Sequence, residues 1–312
     1  MATPKAIPNV TANGSLADPR PSVSVVVPHY NDLLGLDLCL RALCNQSYPP
    51  DLVTLIVADN NSACGAAAVE ATIEGRARLV VVKEKGAGPA RNGGAALALG
   101  EILAFTDCDC EPDVDWLQRG VEGLAHFDIV GGQMLVTVSD QARLTAAEAF
   151  ERVFAFNNKR YIERKGFSVT ANLFARRTTF LAVGGFGAGM SEDVDWCRRA
   201  VQAGFKLGYC PLALCGHPAR RTWDDLLRKW VRINREDFVL TAGTPRGKLQ
   251  YLMQTMLLPA SILPHAAKVL TTSRLKGMRE RSLAIGMLVR LRLWRFANSL
   301  QLIIKPQAKG GL

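Results

Sequence analysis

Glu101-Ile102-Leu103-Ala104-Phe105-Thr106-Asp107-Cys108-Asp109 holds five uncharged residues in a row, then two carboxylates one residue apart. The uncharged run predicts a buried strand, and the carboxylates stand at its carboxyl end, where open α/β sheets hold their ligands. In an extended segment Asp107 and Asp109 point the same way, so two like charges meet in one small volume. A hard divalent cation relieves that repulsion, and Mg²⁺ in particular takes one or two carboxylates together with substrate phosphates. Acidic turns share the same Asp-x-Asp spelling, so neighbouring motifs must decide between the two.

Upstream, residues 79–83 predict a strand and residues 89–100 a helix. Residues 52–58 predict another strand, and residues 23–27 a β-branched strand ended by Pro28 and followed by leucines at helical spacing over 33–45. Strands alternating with helices predict an α/β fold, a doubly wound, mostly parallel sheet with right-handed crossovers. Each strand ends in polar residues: Pro28-His29-Tyr30-Asn31, then Asp59-Asn60-Asn61-Ser62, then Gly86 and Gly88 leading to Pro89-Ala90-Arg91-Asn92-Gly93. Pro89 suits a first helical turn, and Arg91 beside the free amides there would attract phosphate. Singly these are turns or caps; together with Asp107 and Asp109 they predict a nucleotide site.

Downstream, 127–138 predicts a strand at the centre of the sheet. Over 141–160, Leu144, Ala147, Phe150, Phe154 and Ala155 recur at helical spacing, with Lys159, Arg160, Arg164 and Lys165 just beyond. A helix packed on the sheet is preferred there to an acceptor platform. Strand returns over 167–175 and, briefly, over 205–210. Ser191 predicts a helix N-cap, with Glu192 and Asp193 in the first turn beside the free amides.

In order, Val-Val-Val-Pro-His-Tyr-Asn (25–31), Val-Ala-Asp-Asn-Asn-Ser (57–62), Gly-Pro-Ala-Arg-Asn-Gly-Gly (88–94) and Thr-Asp-Cys-Asp (106–109) resemble the nucleotide-sugar half of family 2 glycosyltransferases, which have the GT-A fold. The resemblance spans roughly residues 22–220. It implies that Pro28, Tyr30, Asn31, Asp59 and Arg91 hold a UDP-type donor, that Asp107 contacts ribose or a metal-bound water, and that Asp109 binds Mg²⁺ or Mn²⁺. By the same resemblance Asn172 lines the sugar and acceptor pocket, and His217 contacts metal or diphosphate. Asp193 becomes the general base of an inverting transfer, with Glu192 positioning it or the acceptor. A sugar hydroxyl is a poor nucleophile near neutral pH, so a carboxylate must take its proton as the new C1 bond forms, while a cation neutralises the departing diphosphate. Processive relatives carry Gln-x-x-Arg-Trp; here Leu226-Leu227-Arg228-Lys229-Trp230 lacks the Gln and has Lys for Arg, which favours single-sugar transfer.

The chain has 312 residues, 48% apolar and 21% charged, an ordinary globular composition. Residues 217–312 hold 18 of the 38 Lys and Arg but 5 of the 28 Asp and Glu, a local net charge of +13. That predicts a polyanionic partner. No nucleic-acid-binding signature accompanies the charge, so an anionic membrane surface is expected and nucleic acid is not. Residues 249–270 are the most apolar, but Pro259, Pro264, His265 and Lys268 interrupt them, which suits a broken or interfacial segment better than a span. Over 274–305 basic and apolar residues recur as in a helix lying on anionic lipid. Residues 1–21 lack a hydrophobic signal core and predict a disordered tail on a chain that starts inside the cell. Eight Cys without metal-ligand spacing predict small core residues in a reducing compartment.

The expected organisation is a tail (1–21), a GT-A catalytic domain (22–220) and a basic, apolar, helical membrane-associating region (221–312). The expected partners are a nucleotide-sugar donor and a polyprenyl-diphosphate-linked glycan acceptor. Both would meet at the cytoplasmic face of the inner membrane, the protein being peripheral or monotopic, in bacterial exopolysaccharide or other surface glycan assembly. The rival readings are a sugar-nucleotide pyrophosphorylase and a non-catalytic membrane-bound scaffold.

Overall fold

The computed structural model describes residues 20–188 and 191–304. The expected disordered tail therefore lies, except for its last two residues, outside the described residues.

The first half follows the sequence pattern closely. β1 (Val23–His29), α1 (Leu33–Cys44), β2 (Val53–Asp59), α2 (Ala66–Ile73), β3 (Arg78–Val81), α3 (Ala87–Ala96) and β4 (Ile102–Phe105) alternate along the chain. β1 and β4 are buried on both faces, as strands with helices above and below them must be. α3 lies close on the sheet because Gly94 has no side chain: a Cβ there would stand 2.5 Å from Val26 Cγ1.

β5 (Glu111–Pro112), α4 (Trp116–Gly123), β6 (Ile129–Thr137), α5 (Ala146–Phe154), α6 (Asn158–Lys165), β7 (Leu173–Arg176), α7 (Arg177–Val183), α8 (Glu192–Gln202) and β8 (Leu207–Pro218) complete an eight-stranded sheet. Its order is β3-β2-β1-β4-β7-β6-β8-β5. The pairs β1–β2, β1–β4, β2–β3 and β6–β8 are parallel, and β7 runs antiparallel between β4 and β6. Apolar layers cover both faces, one around Leu36, Leu40, Trp116 and Phe174, the other around Phe105, Phe180, Phe186 and Trp196.

Four local expectations change. The strand expected through Asp109 ends at Phe105, and residues 107–110 close a turn in which Cys110 N–H donates to Asp107 O (3.0 Å). The helix expected over 141–160 breaks after Phe154, because the Asn157 side chain accepts from Arg160 N–H and starts a second helix. The strand expected over 167–175 begins only at Leu173, after a tight turn at Thr170–Asn172. The strand expected to stop near Cys210 instead continues past Pro211, through a register shift opposite Gly132 and Gln133.

α9 (Trp223–Thr241), α10 (Pro245–Met256), α11 (Ile262–Thr271) and α12 (Gly277–Ile304) follow. α12 does not present its whole apolar face outward, as a helix lying on lipid would. Ala284, Met287, Leu288 and Leu291 are buried against the α5 residues Ala147, Ala149, Phe150 and Val153. Much of its basic side also turns inward. Arg281 donates to Val269 O (2.8 Å), Arg290 lies 4.0 Å over the Trp223 ring, and Arg295 lies 4.6 Å over Trp230 while pairing with Asp237 (3.1 Å). α5 contributes buried Glu148 and Glu151: Glu151 pairs with Arg220 (3.3 Å) and Lys229 (2.8 Å), and Arg221 approaches Glu148 (3.7 Å). Lys229, where processive relatives would carry Arg, is thus an internal strut. Among the described residues no helix is long and apolar enough to cross a membrane.

Candidate active site

The carboxyl ends of β1, β2 and β4 share one edge because the three strands are parallel neighbours. At the β1 end Pro28 is half-buried, Tyr30 is 61% exposed and Asn31 is exposed. Asn31 has φ 56°, a left-handed conformation that Asn tolerates, and its Oδ1 accepts from Ala63 N–H (2.7 Å), tying the β1 and β2 ends together.

Asp59 stands opposite His29 in the β1–β2 register and is 1% exposed. Its Oδ1 meets His29 Nδ1 (2.8 Å) and the Ser62 hydroxyl (2.5 Å), and its Oδ2 accepts from Ser62 N–H (3.0 Å). Burial works to raise its pKa, but the Ser62 and His29 bonds prevail and hold the carboxyl below its ordinary range. Asp59 therefore shapes the turn after β2 from within.

Arg91, in α3, is 3% exposed and forks between two acids: Nη2 meets Asp107 Oδ1 (2.5 Å) and Nη1 meets Glu192 Oε1 (2.6 Å). One guanidinium thus joins the turn after β4 to the start of α8, bringing together motifs 85 residues apart. Asp109 turns to the other side. Burial raises its carboxyl pKa, partly offset by His217, and Asp107 adds to the rise. His217 Nε2 lies 3.5 Å from Asp109 Oδ2, while Nδ1 must donate to Pro218 O (2.8 Å), since a carbonyl can only accept. Asp107 and Asp109, expected to face one volume together, thus take separate partners because a turn replaces the strand.

This donor set suits a divalent cation. A histidine that donates one ring N–H to a backbone carbonyl presents the other nitrogen's lone pair, here beside a carboxylate with a raised pKa. Among the described residues no three His, Cys, Asp or Glu side chains cluster as a metal cage. Mg²⁺-type ions nonetheless bind through one or two protein groups when substrate phosphates complete the shell.

Asp193 lies in the first turn of α8 and accepts from Val194 N–H (2.8 Å). Burial, with Glu192 beside it, pushes its pKa up to about 6, against the pull of Arg91. α8 is anchored by buried Trp196, whose Nε1–H donates to Gly184 O (2.8 Å). Ser191 does not cap the helix as expected. It sits at φ 58°, and its hydroxyl bonds to Glu236 of α9 (3.0 Å). Asn172 is also placed differently: fully buried, it accepts from Trp116 Nε1–H (2.9 Å) and donates to Gln133 O (3.1 Å) and Ala213 O (2.9 Å). It stitches the irregular β6–β8 pairing.

The profile of the family described as "Glycosyl transferase family 2" matches residues 24–191, the segment that carries the strand-end groups, Arg91, Asp107 and Asp109 and that stops just short of Glu192 and Asp193. The chain belongs to that family. This glycosyltransferase is 33% identical over 223 residues to "Glycosyltransferase AglE" of Haloferax volcanii, covering 69% of the chain and 72% of the relative. It is 27% identical over 243 residues to the "Pre-mycofactocin glycosyltransferase" of Mycobacterium tuberculosis, covering 71% of the chain and 48% of that longer relative. Among solved structures, the mannosyltransferase PcManGT from Pyrobaculum calidifontis, in complex with GDP-Man and Mn²⁺, superposes with TM-score 0.53 at 20% identity, over 94% of the chain and 77% of that protein. TarS 1-349 of S. aureus gives 0.50 at 15% identity, over 92% and 76%. The family makes the chain an enzyme that transfers sugar from a nucleotide sugar, and the solved structures give it the GT-A fold.

The glycosyltransferase also uses groups to which the sequence reading gave no role. Asn92 makes reciprocal bonds with the Phe186 backbone (Nδ2 to O and N–H to Oδ1, both 2.8 Å), clamping α3 to the loop before Asp193. Gly88 allows that loop to approach, since a Cβ there would stand 2.3 Å from Gly187 O. Both lie inside the quoted 88–94 motif, but nothing local names their distant partners.

Proposed function

We propose that this enzyme is inverting and divalent-cation-dependent, and that it moves one sugar from a UDP-sugar to a hydroxyl of a lipid-linked glycan. The proposed setting is the cytoplasmic face of the inner membrane, in exopolysaccharide or other surface glycan assembly. The Arg91 fork supports this reading: it ties Asp107, from the turn that also carries Asp109, to Glu192, the neighbour of the proposed base Asp193.

Bound there, the cation would offset the charge of the leaving diphosphate. Tyr30, exposed at the β1 end, offers a ring to the base of the nucleotide. Asp193, with its pKa near the operating pH, can hold the acceptor hydroxyl and take its proton as that oxygen bonds C1 from the face opposite the diphosphate. Membrane attachment is supported by Leu249, Met253, Met256, Leu257 and Leu263 of the α10–α11 region, all more than half exposed, within a segment of strongly positive charge.

The test is nucleoside diphosphate release from UDP- and GDP-sugars with Mn²⁺ or Mg²⁺, with and without a lipid extract. Cation-dependent release from a UDP-sugar, stimulated by the extract and carrying an inverted anomeric centre, is expected. Release that ignores EDTA, or retention at C1, would contradict the proposal.

A further inference from the structure

Next to the reacting centre a cleft of about 280 Å³ opens between α5, α6 and α11. Phe154, Phe156 and Tyr161 give it aromatic walls, and Arg160, Lys165 and Lys268 bring three cations to it. Lys268 Nζ lies 5.0 Å from the Phe154 ring centre and reaches only a carbonyl, Val153 O (3.4 Å). Lys165 Nζ lies 5.4 Å over Tyr161.

Several neighbouring cations are matched by acids. Arg220 and Lys229 meet Glu151, and Arg295 meets Asp237. Among the described residues none of Arg160, Lys165 and Lys268 has an ion pair of its own. Burial lowers the Lys268 pKa, and the nearby charges of Arg274 and Arg160 lower it further. His265 completes the wall with both ring nitrogens engaged, Nδ1–H to Ser261 O (2.6 Å) and Nε2 by Arg292 (3.3 Å), so it is not a free ligand.

The cleft adjoins the His217 side of the candidate active site. The Phe156 ring packs 5.0 Å from His217, and the Asp193 charge adds to the burial that raises the Tyr161 phenol. Its volume is just under the low end of small-molecule sites, about 300 Å³, which suits a phosphate or diphosphate group better than a whole nucleotide sugar. Along α11, Leu263 and Leu270 are exposed and would lead from the cleft to an apolar surface.

We infer that this cleft is an anion subsite, separate from that for the donor diphosphate, which holds the phosphate or diphosphate joining the acceptor glycan to its lipid. The inference rests on the acceptor class given under Proposed function. With this linker in the cleft, the glycan hydroxyl points toward Asp193 and the lipid tail follows α11.

Farnesyl diphosphate and inorganic pyrophosphate serve as probes, titrated calorimetrically into the full chain in EDTA, so that no cation draws them to Asp109. Wild-type protein should bind farnesyl diphosphate, and Arg160→Gln with Lys268→Gln should weaken it about tenfold or more. Lys165→Gln alone should weaken it severalfold, and Asp109→Asn should leave it unchanged. Pyrophosphate should bind more weakly with the same dependence on Arg160 and Lys268; equal affinity for the two probes would overturn the lipid-linked assignment. An unchanged affinity in both cleft variants, or a loss on Asp109→Asn equal to theirs, would overturn the subsite. In turnover, the double variant should raise acceptor KM with donor hydrolysis unaltered. If no lipid-linked acceptor is glycosylated while farnesyl diphosphate binding still needs Arg160 and Lys268, the acceptor class falls and the anion subsite stands. Transfer by the double variant at wild-type acceptor KM sinks the subsite alone.

Discussion

Asp193 joins chemistry to stability through one shift. Burial and Glu192 push its pKa from 3.8 to about 6, so the proton-accepting form predominates only above that pH. kcat/KM should fall about tenfold per unit as pH drops below 6. A flat profile between pH 5 and 8 would remove Asp193 from the rate-determining proton transfer. The sign for stability is opposite. The folded chain binds this proton more tightly than the unfolded chain, so the stabilisation is complete below 3.8 and is lost as pH rises through about 6. At pH 8 the ionised group therefore weakens the fold. Asp193→Asn should raise Tm there by a few degrees, at about 2–4 °C per kcal/mol, while turnover falls by a factor of about 10²–10⁴. His217→Gln tests the cation pair: half-saturating Mn²⁺ should rise about 10–100-fold, with activity regained at high Mn²⁺. A variant that saturates at the wild-type Mn²⁺ concentration would exclude His217 as a ligand.

At the level of elements, the loop before α8 is held from α3. Asn92→Ala removes both bonds to Phe186 and leaves a buried amide and carbonyl without partners, a loss of about 1–3 kcal/mol. Tm should fall, and kcat should fall more than donor KM rises, because the loop leads into Asp193 and not into the strand ends. Equal effects on both constants would mean that the loop serves the donor instead. The same contrast explains what could be read from sequence. β1, β2 and α1 were legible because their burial follows from short-range pattern, and the strand-end motifs converge because parallel strands share one edge. For Asp59 the motif gives the residue type and not its partner; only the β1–β2 register sets His29 against it. The bonds of Asn172 were hidden for a similar reason. The carbonyls it satisfies become available only where β8 slips against β6, which no short-range pattern announces. The turn at 107–110 escaped because the apolar run Ile102–Phe105 passes into Thr106–Asp109 with no Gly or Pro to mark its end, and the break depends on where the neighbouring strands run out.

Across the whole molecule, the C-terminal helices are fastened to the catalytic sheet through α5, by apolar contact with α12 and by the Glu151 pairs with Arg220 and Lys229. The basic stripe seen in sequence therefore divides. Arg281, Arg290 and Arg295 hold helices together, and the surface proposed to meet lipid is the exposed apolar row of α10 and the turn after it. Leu249→Glu with Met253→Glu should abolish flotation with phosphatidylglycerol vesicles and leave Tm unchanged, whereas flotation equal to wild type would move the contact elsewhere. Fastening through α5 also bears on whether the catalytic half can stand alone. Ending the chain at residue 220 would uncover Ala147, Phe150 and Val153 together, a contiguous apolar face, and would take Lys229 from Glu151 while that acid remains half-enclosed. Removing one partner of a buried pair costs about 3–5 kcal/mol, and the exposed apolar area adds to that loss. A 20–220 fragment should therefore be aggregation-prone or melt well below the full chain, and Glu151→Gln in the intact protein should reproduce part of the fall in Tm. If the fragment is monomeric with the full-chain Tm, the helices are an appendage and the sheet is a self-sufficient domain.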